Sequence, residues 1–268
     1  MRVAAVQLSY EDAEPAADRV ARAAGLVREH ADHDLVVLPE LWAPTGFGYR
    51  RWAEQAEPLD GPFAAAMADL ARTVGTTLHA GSFVERLPEP GPDGNDLANT
   101  SLLFDGDGTL LAHYRKVHRF GFGSGEPRLM EAGTEVVVVD LPDGAGGTVR
   151  TGLSTCYDLR FPELYRLQQE AGAELFVVPA AWPAARVAHW TMFGRARAVE
   201  NQAALVAVNT GGTHARTPMG GHTQVVTAAG EVMGELAHTD EAVLSVDLDL
   251  STTAEYRDAF PVLADRRL

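Results

Sequence analysis

Four short segments of this chain are apolar almost throughout: Val3–Leu8 (VAAVQL), Leu35–Leu38 (LVVL), Leu175–Pro179 (LFVVP) and Ala204–Asn209 (ALVAVN). A strand with one wet face alternates polar and apolar residues, so these read as strands in largely buried sheets. Between them lie helical patterns. Glu14–Arg28 carries Ala17, Val20, Ala24 and Val27 at helical spacing, Pro62–Arg72 has proline near its start, and His189–Gln202 is a longer pattern. Thr77–Val84 reads as a strand, followed by the Pro/Gly-rich loop Pro88–Asn95. Hairpins are expected where Thr100–Phe104 and Leu110–Tyr114 flank Asp105-Gly106-Asp107-Gly108, and where Val136–Leu141 and Thr148–Leu153 flank Pro142–Gly147. His222–Thr227, Val232–Leu236 and Ala242–Asp247 suggest a last antiparallel set, and the tail from Leu250 has no clear period. No repeat or linker interrupts the pattern, which predicts one α/β domain over 1–268 with helices outside its sheets.

Composition narrows the function. A net charge of −15, with no basic run longer than Arg50-Arg51 or Arg266-Arg267, argues against binding nucleic acid or an anionic membrane. The single cysteine excludes an intrachain disulfide and a cysteine-cluster zinc site. The nine histidines show no His-x-His or His-x-x-x-His spacing, so neither a metal site nor a cofactor is expected. Met1-Arg2 leads straight into a strand pattern and no apolar run could span a bilayer, so the expected setting is cytoplasmic.

That cysteine, Cys156, lies in TGLSTCYDLRFPELYR (Thr151–Arg166), between a β-leaning segment and a helix start with Pro162 and Glu163 in its first turn. Backbone N–H groups at such an elbow are expected to favour thiolate over thiol. Glu40 directly follows a buried strand, at the carboxyl end where α/β proteins build their sites. Its neighbours Leu38, Leu41 and Trp42 are apolar, and desolvation there would make it a usable proton carrier. Lys116 ends the strand Leu110–Tyr114, and Glu126 sits in the glycine-rich loop Phe120–Pro127. Taken singly, Glu40 and Lys116 read more readily as solvated residues, and Glu126 says nothing on its own.

Together, in order and context, they resemble the nitrilase superfamily of carbon–nitrogen hydrolases. The matching segments are LVVLPELW around Glu40, YRKVHRF around Lys116, Gly125-Glu126-Pro127 and STCYDLRFPELYR around Cys156, with RARAVENQAALVAVN (Arg195–Asn209) downstream. The resemblance spans nearly the whole chain. It implies a four-layer αββα sandwich and a homodimer or higher oligomer. It also implies Cys156 as nucleophile, Glu40 as general base, and Lys116 with the Tyr157 backbone N–H at the oxyanion. Glu126 would orient Lys116 or the substrate amide. Cys-Tyr-Asp is similar to the amidase branches, where nitrilases proper show Cys-Trp-Glu. The expected activity is hydrolysis of a small linear amide of the ω-amidase or Nit-like kind, releasing ammonia.

The alternatives are a nitrilase, an N-carbamoyl amide hydrolase, acyl transfer to an amine, a Cys–His hydrolase using His118 or His79, and an inactive binding homologue. Trp182, Arg186 and His189 are the expected substrate-binding residues, with Arg186 available to a substrate carboxylate. An Asp158–Arg160 salt bridge is expected to brace the elbow, and Glu200 and Asn201 to support the fold or the dimer.

Overall fold

The computed structural model describes residues 1–267. The first half of the chain forms β1 (Arg2–Gln7), β2 (Ser9–Glu11), α1 (Ala16–Glu29), β3 (Leu35–Val37), α2 (Trp52–Gln55), α3 (Pro62–Val74), β4 (Thr77–Arg86), β5 (Leu97–Phe104) and β6 (Leu110–Arg115). Next come α4 (Glu126–Leu129), β7 (Val138–Pro142), β8 (Thr148–Leu153), a 3₁₀ turn at Cys156–Arg160, α5 (Pro162–Glu170) and β9 (Leu175–Pro179). The remainder forms α6 (Val187–Asn201), β10 (Ala204–Val208), β11 (Gly211–His214), β12 (Thr217–Pro218), β13 (Gln224–Val226), β14 (Val232–Glu235), β15 (Ala242–Asp247) and α7 (Ser251–Ala259).

Two six-stranded sheets dominate, ordered β15-β1-β3-β4-β5-β6 and β14-β13-β10-β9-β8-β7. Each has three parallel strands at its centre (β1, β3, β4 and β8, β9, β10) and antiparallel strands outside them. The apolar strands follow from how their alternate residues are used. In β1 and β3, Val3, Ala5, Leu35 and Val37 join a core shared with Val177, Val206 and Leu153 of the second sheet. Ala4, Val6 and Val36 face the other way, against Val27 of α1 and Phe63, Met67 and Leu70 of α3. On the second sheet, Leu164 and Tyr165 of α5 and Trp190 and Ala198 of α6 close the central core from outside. The order is helix, sheet, sheet, helix, the αββα sandwich.

Three features depart from the sequence reading. β15 does not continue the antiparallel set after β14; it crosses to the first sheet and pairs with β1, Val3 opposite Val246. A small third sheet, β12-β11-β2, joins the ends of the two large ones. The tail, without a visible period, forms α7, which buries only Thr253 and so has no apolar stripe to detect.

Candidate active site

Glu40, Lys116, Glu126 and Cys156 converge on one pocket, each 2–6% exposed. About 400 Å³ of space, part of it open to solvent, lies within the pocket, and no histidine is among its lining residues. The nucleophile candidate stands where β8 ends. Cys156 has φ +49°, a left-handed conformation costing roughly 1–2 kcal/mol for a residue with a Cβ, so its surroundings must impose it. They do so chiefly through Asp158, which is fully buried. Its carboxylate accepts from the Tyr114 hydroxyl at 2.7 Å, and from the Thr155 N–H, the His118 N–H and the His118 ring at 2.8 Å each. Ser101 and Thr155 hydroxyls meet at 3.0 Å, tying β5 to the elbow.

The expected Asp158–Arg160 bridge is not formed. Arg160 instead lays its guanidinium over Trp182, 4.7 Å from the ring centroid, and over Phe193 at 5.4 Å. Glu200 pairs with Arg197 at 2.7 Å and its carbonyl accepts from Arg166 of α5 at 2.9 Å, while buried Asn201 donates to the Arg197 carbonyl at 2.9 Å, so both support the fold.

Glu40 is held by the register of its own strand. Beyond β3 the chain turns sharply, with Leu41 at φ +44°; the Leu41 N–H donates to Ser82 Oγ at 3.0 Å and the Trp42 indole to the Ala80 carbonyl at 2.9 Å. The turn fits only because Gly81, at φ +68° in a bulge of β4, has no Cβ; one placed there would lie 1.9 Å from the Pro39 carbonyl oxygen. Glu40 Oε2 then accepts the Ala181 N–H at 2.8 Å.

Lys116 joins the two carboxylates. Its Nζ lies 2.7 Å from Glu40 Oε1 and 3.0 Å from both oxygens of Glu126. Asn99, opposite it on β5, donates to the same Oε1 atoms at 2.8 and 2.9 Å. Burial works against a charged Lys116, but Glu126 and Glu40 outweigh it and hold the ammonium well above the usual lysine range. Burial raises Glu126, against the pull of Lys116. Burial, then the charge of Glu40, pushes the Cys156 thiol well above its usual range, with Lys116 pulling the other way. Burial and two carboxylates thus act against the thiolate that the elbow is expected to favour, and one ammonium acts for it.

The other sequence-derived residues separate. Trp182 and Arg186 line the pocket; the Trp182 indole donates to the Arg186 carbonyl at 2.8 Å, and the Arg186 guanidinium lies 5.4 Å from the Phe120 ring. The exposed His189 is not in the pocket lining and sits behind Arg160, its Nδ1 3.3 Å from an Arg160 nitrogen. His118 is committed to Asp158 and stacked on Phe161, and buried His79 lies outside the pocket lining, so neither serves as a base. Among the described residues, no group of three or more His, Cys, Asp or Glu side chains could hold a metal ion.

The family model described as carbon-nitrogen hydrolase matches residues 2–258. The chain belongs to the carbon-nitrogen hydrolase family. It is 45% identical over 265 residues to a 2-oxoglutaramate amidase of Paenarthrobacter nicotinovorans, covering 99% of this chain and 89% of that one. It is 32% identical to omega-amidase NIT2 of Homo sapiens, covering 99% and 95%. The fold matches the amidase of Nesterenkonia sp. AN1, a nitrilase-superfamily protein, with a TM-score of 0.79, 27% identity and 97% of each chain covered; that structure shows acrylamide added at its active site cysteine. This hydrolase is thus an amidase built as an αββα sandwich.

Sequence reasoning missed Arg160 in the pocket lining and Asn99 behind it, where it donates to Glu40 and Glu126. Asn99 sits within an unremarkable strand, LANTSLLF, and carries no signal of its own. Arg160 was assigned to the elbow, because its neighbour in sequence is an acid whose partners come from other elements.

Proposed function

We propose that this amidase hydrolyses a small linear amide bearing a carboxylate remote from the scissile bond, through a thioester on Cys156, with release of ammonia. The observation that carries the reading is the Glu40–Lys116 contact of 2.7 Å in one buried pocket with the only thiol. Glu40 takes the thiol proton as sulfur attacks the amide carbonyl, so thiolate forms only in step with bond formation. The Lys116 ammonium and the Tyr157 N–H receive the negative oxygen of the tetrahedral intermediate. Glu40 returns the proton to the leaving nitrogen, the carbon–nitrogen bond breaks, and ammonia departs. Water then loses a proton to Glu40, attacks the thioester and frees the acid and the thiol. Glu126 keeps Lys116 charged and aimed.

The cationic part of the pocket lining supports the substrate class. Arg160 and Arg186 both line it, and among the described residues neither forms an ion pair, in a protein of net charge −15. Burial lowers Arg160, and the nearby Arg186 charge acts the same way, while Tyr157 and Cys156 act against them. A substrate carboxylate relieves the repulsion between the two arginines and accepts a forked hydrogen-bond pair. The relative named 2-oxoglutaramate amidase agrees with such a substrate. Arg186→Ala is expected to raise KM for an anionic amide about tenfold or more while leaving that for a neutral amide of similar size unchanged, as read from steady-state ammonia release. An unchanged KM for the anionic amide removes the role.

A further inference from the structure

One amide nitrogen faces both buried carboxylates. Asn99 Nδ2 has two N–H groups, and both are spent: one on Glu40 Oε1 at 2.8 Å, the other on Glu126 Oε1 at 2.9 Å. Lys116 Nζ approaches the same two oxygens from the other side at 2.7 and 3.0 Å. The two donors are neighbours across the β5–β6 ladder, the Lys116 N–H donating to the Asn99 carbonyl at 2.9 Å. The four groups therefore close a ring of alternating donors and acceptors. Lys116 is one ammonium between two buried carboxylates, whose other oxygens accept the Ala181 and Phe120 N–H groups. The amide's orientation has a cost: Asn99 Oδ1 is buried with no hydrogen-bond partner among the described residues. A flipped amide would set that oxygen against two carboxylate oxygens, so the unsatisfied acceptor is the consequence of aiming both N–H groups at the acids.

We propose that Asn99 is a positioning residue that, with Lys116, keeps Glu40 and Glu126 ionised together, so that Glu40 is available as a base at neutral pH. This rests on the reading of Glu40 as the base. Hydrogen bonds to the ionised form of a carboxyl lower its pKa; burial raises Glu126, and Lys116, the Phe120 N–H and the Asn99 bond act against it. The other titratable groups facing this pair are Lys116, the Cys156 thiol, and the hydroxyls of Tyr49, at the pocket wall, and Tyr10, behind Glu40. Burial and the charge of Glu126 push Tyr49 up to about 12, and burial holds Tyr10 above its usual range, so neither titrates with the acids.

The test is the pH profile of kcat/KM in Asn99→Leu, which keeps the volume, removes both donors and adds no titratable group. The acid limb reports deprotonation of the base in the free enzyme. Losing donors to the charged form raises the carboxyl pKa, so the limb is expected to move up by about one pH unit. At pH 7, kcat/KM should fall by up to about tenfold, and recover as pH rises. Asn99→Ser removes atoms and keeps one donor, so it covers the case in which the leucine variant does not fold; its limb should lie between the two. A loss equal at all pH values, with the limb unmoved, overturns the proposal and leaves Asn99 a packing residue. Glu40→Gln, assayed alongside, separates the two claims. Full activity there defeats the base assignment, whereas an inactive Glu40→Gln with a wild-type limb in both Asn99 variants defeats only the role of Asn99.

Discussion

Lys116 carries the only positive charge among the four converging side chains, and its removal should be felt in stability as well as rate. Lys116→Met leaves Glu40 and Glu126 facing each other in a site 2–3% exposed. Breaking a buried ion pair from one side typically costs about 3–5 kcal/mol, and one carboxyl must then keep its proton. A proton retained in the folded state but released in the unfolded one makes stability fall as pH rises above the ordinary carboxyl range. Urea midpoints of the variant should therefore decline from pH 5 to pH 8 relative to the parent; a flat difference would contradict the account. Glu40, Lys116 and Cys156 were legible in the sequence because each stands beside a strand end, where apolar runs stop and chemistry begins. Asn99 was not, because nothing in a mid-strand asparagine says which residues from other elements it meets. Asp158 and Arg160 misled for the same reason: closeness in sequence suggested a pair, but Tyr114 and His118 claim the acid and Trp182 the base.

At the scale of elements, the site depends on turns that hold strand ends in left-handed geometry. Gly81 is the clearest, since it lets the β3 exit pass over the bulge of β4. In Gly81→Ala the added methyl must displace the Pro39 carbonyl, and φ +68° is itself unfavourable for alanine. A loss of about 2 kcal/mol or more is expected, with kcat reduced more than KM because Glu40 moves and the arginine end of the pocket does not. Chemical denaturation and steady-state kinetics read both effects; a kcat equal to the parent's would show that Glu40 is fixed by other means. The apolar segments announced the parallel strands well, since alternate residues serve two cores and neither can be polar. The course of β15 was illegible, because a strand's own residues fix its faces but not the sheet it joins. α7 lacked the apolar stripe on which helix reading relies.

For the whole molecule, β4 and β11 each carry a buried histidine that makes it sensitive to acid. His79 and His214 are both fully buried, and burial pulls their pKa values down to about 4 and about 3. The unfolded chain binds protons at both below its ordinary value of about 6.5 while the folded chain does not. Stability from these two histidines is therefore full above about pH 6.5 and falls as pH drops toward 4, by up to about 1.4 kcal/mol per pH unit for each. Thermal unfolding between pH 7 and pH 4 should show this slope, and His214→Phe, which preserves the stack on Tyr10, should flatten it. The layered architecture itself came from the resemblance: the strand pattern allowed two sheets without requiring them, because pairing across a core leaves no periodic mark.

The direct measurement is mass spectrometry of the enzyme quenched during turnover of a linear carboxylate-bearing amide, with peptides mapped for added mass. A covalent acyl group on Cys156, absent from Cys156→Ser and from unreacted enzyme, is the expected result. Turnover by Cys156→Ser at the parent's rate, or an acyl group on another residue, would contradict the chemistry assigned to this pocket.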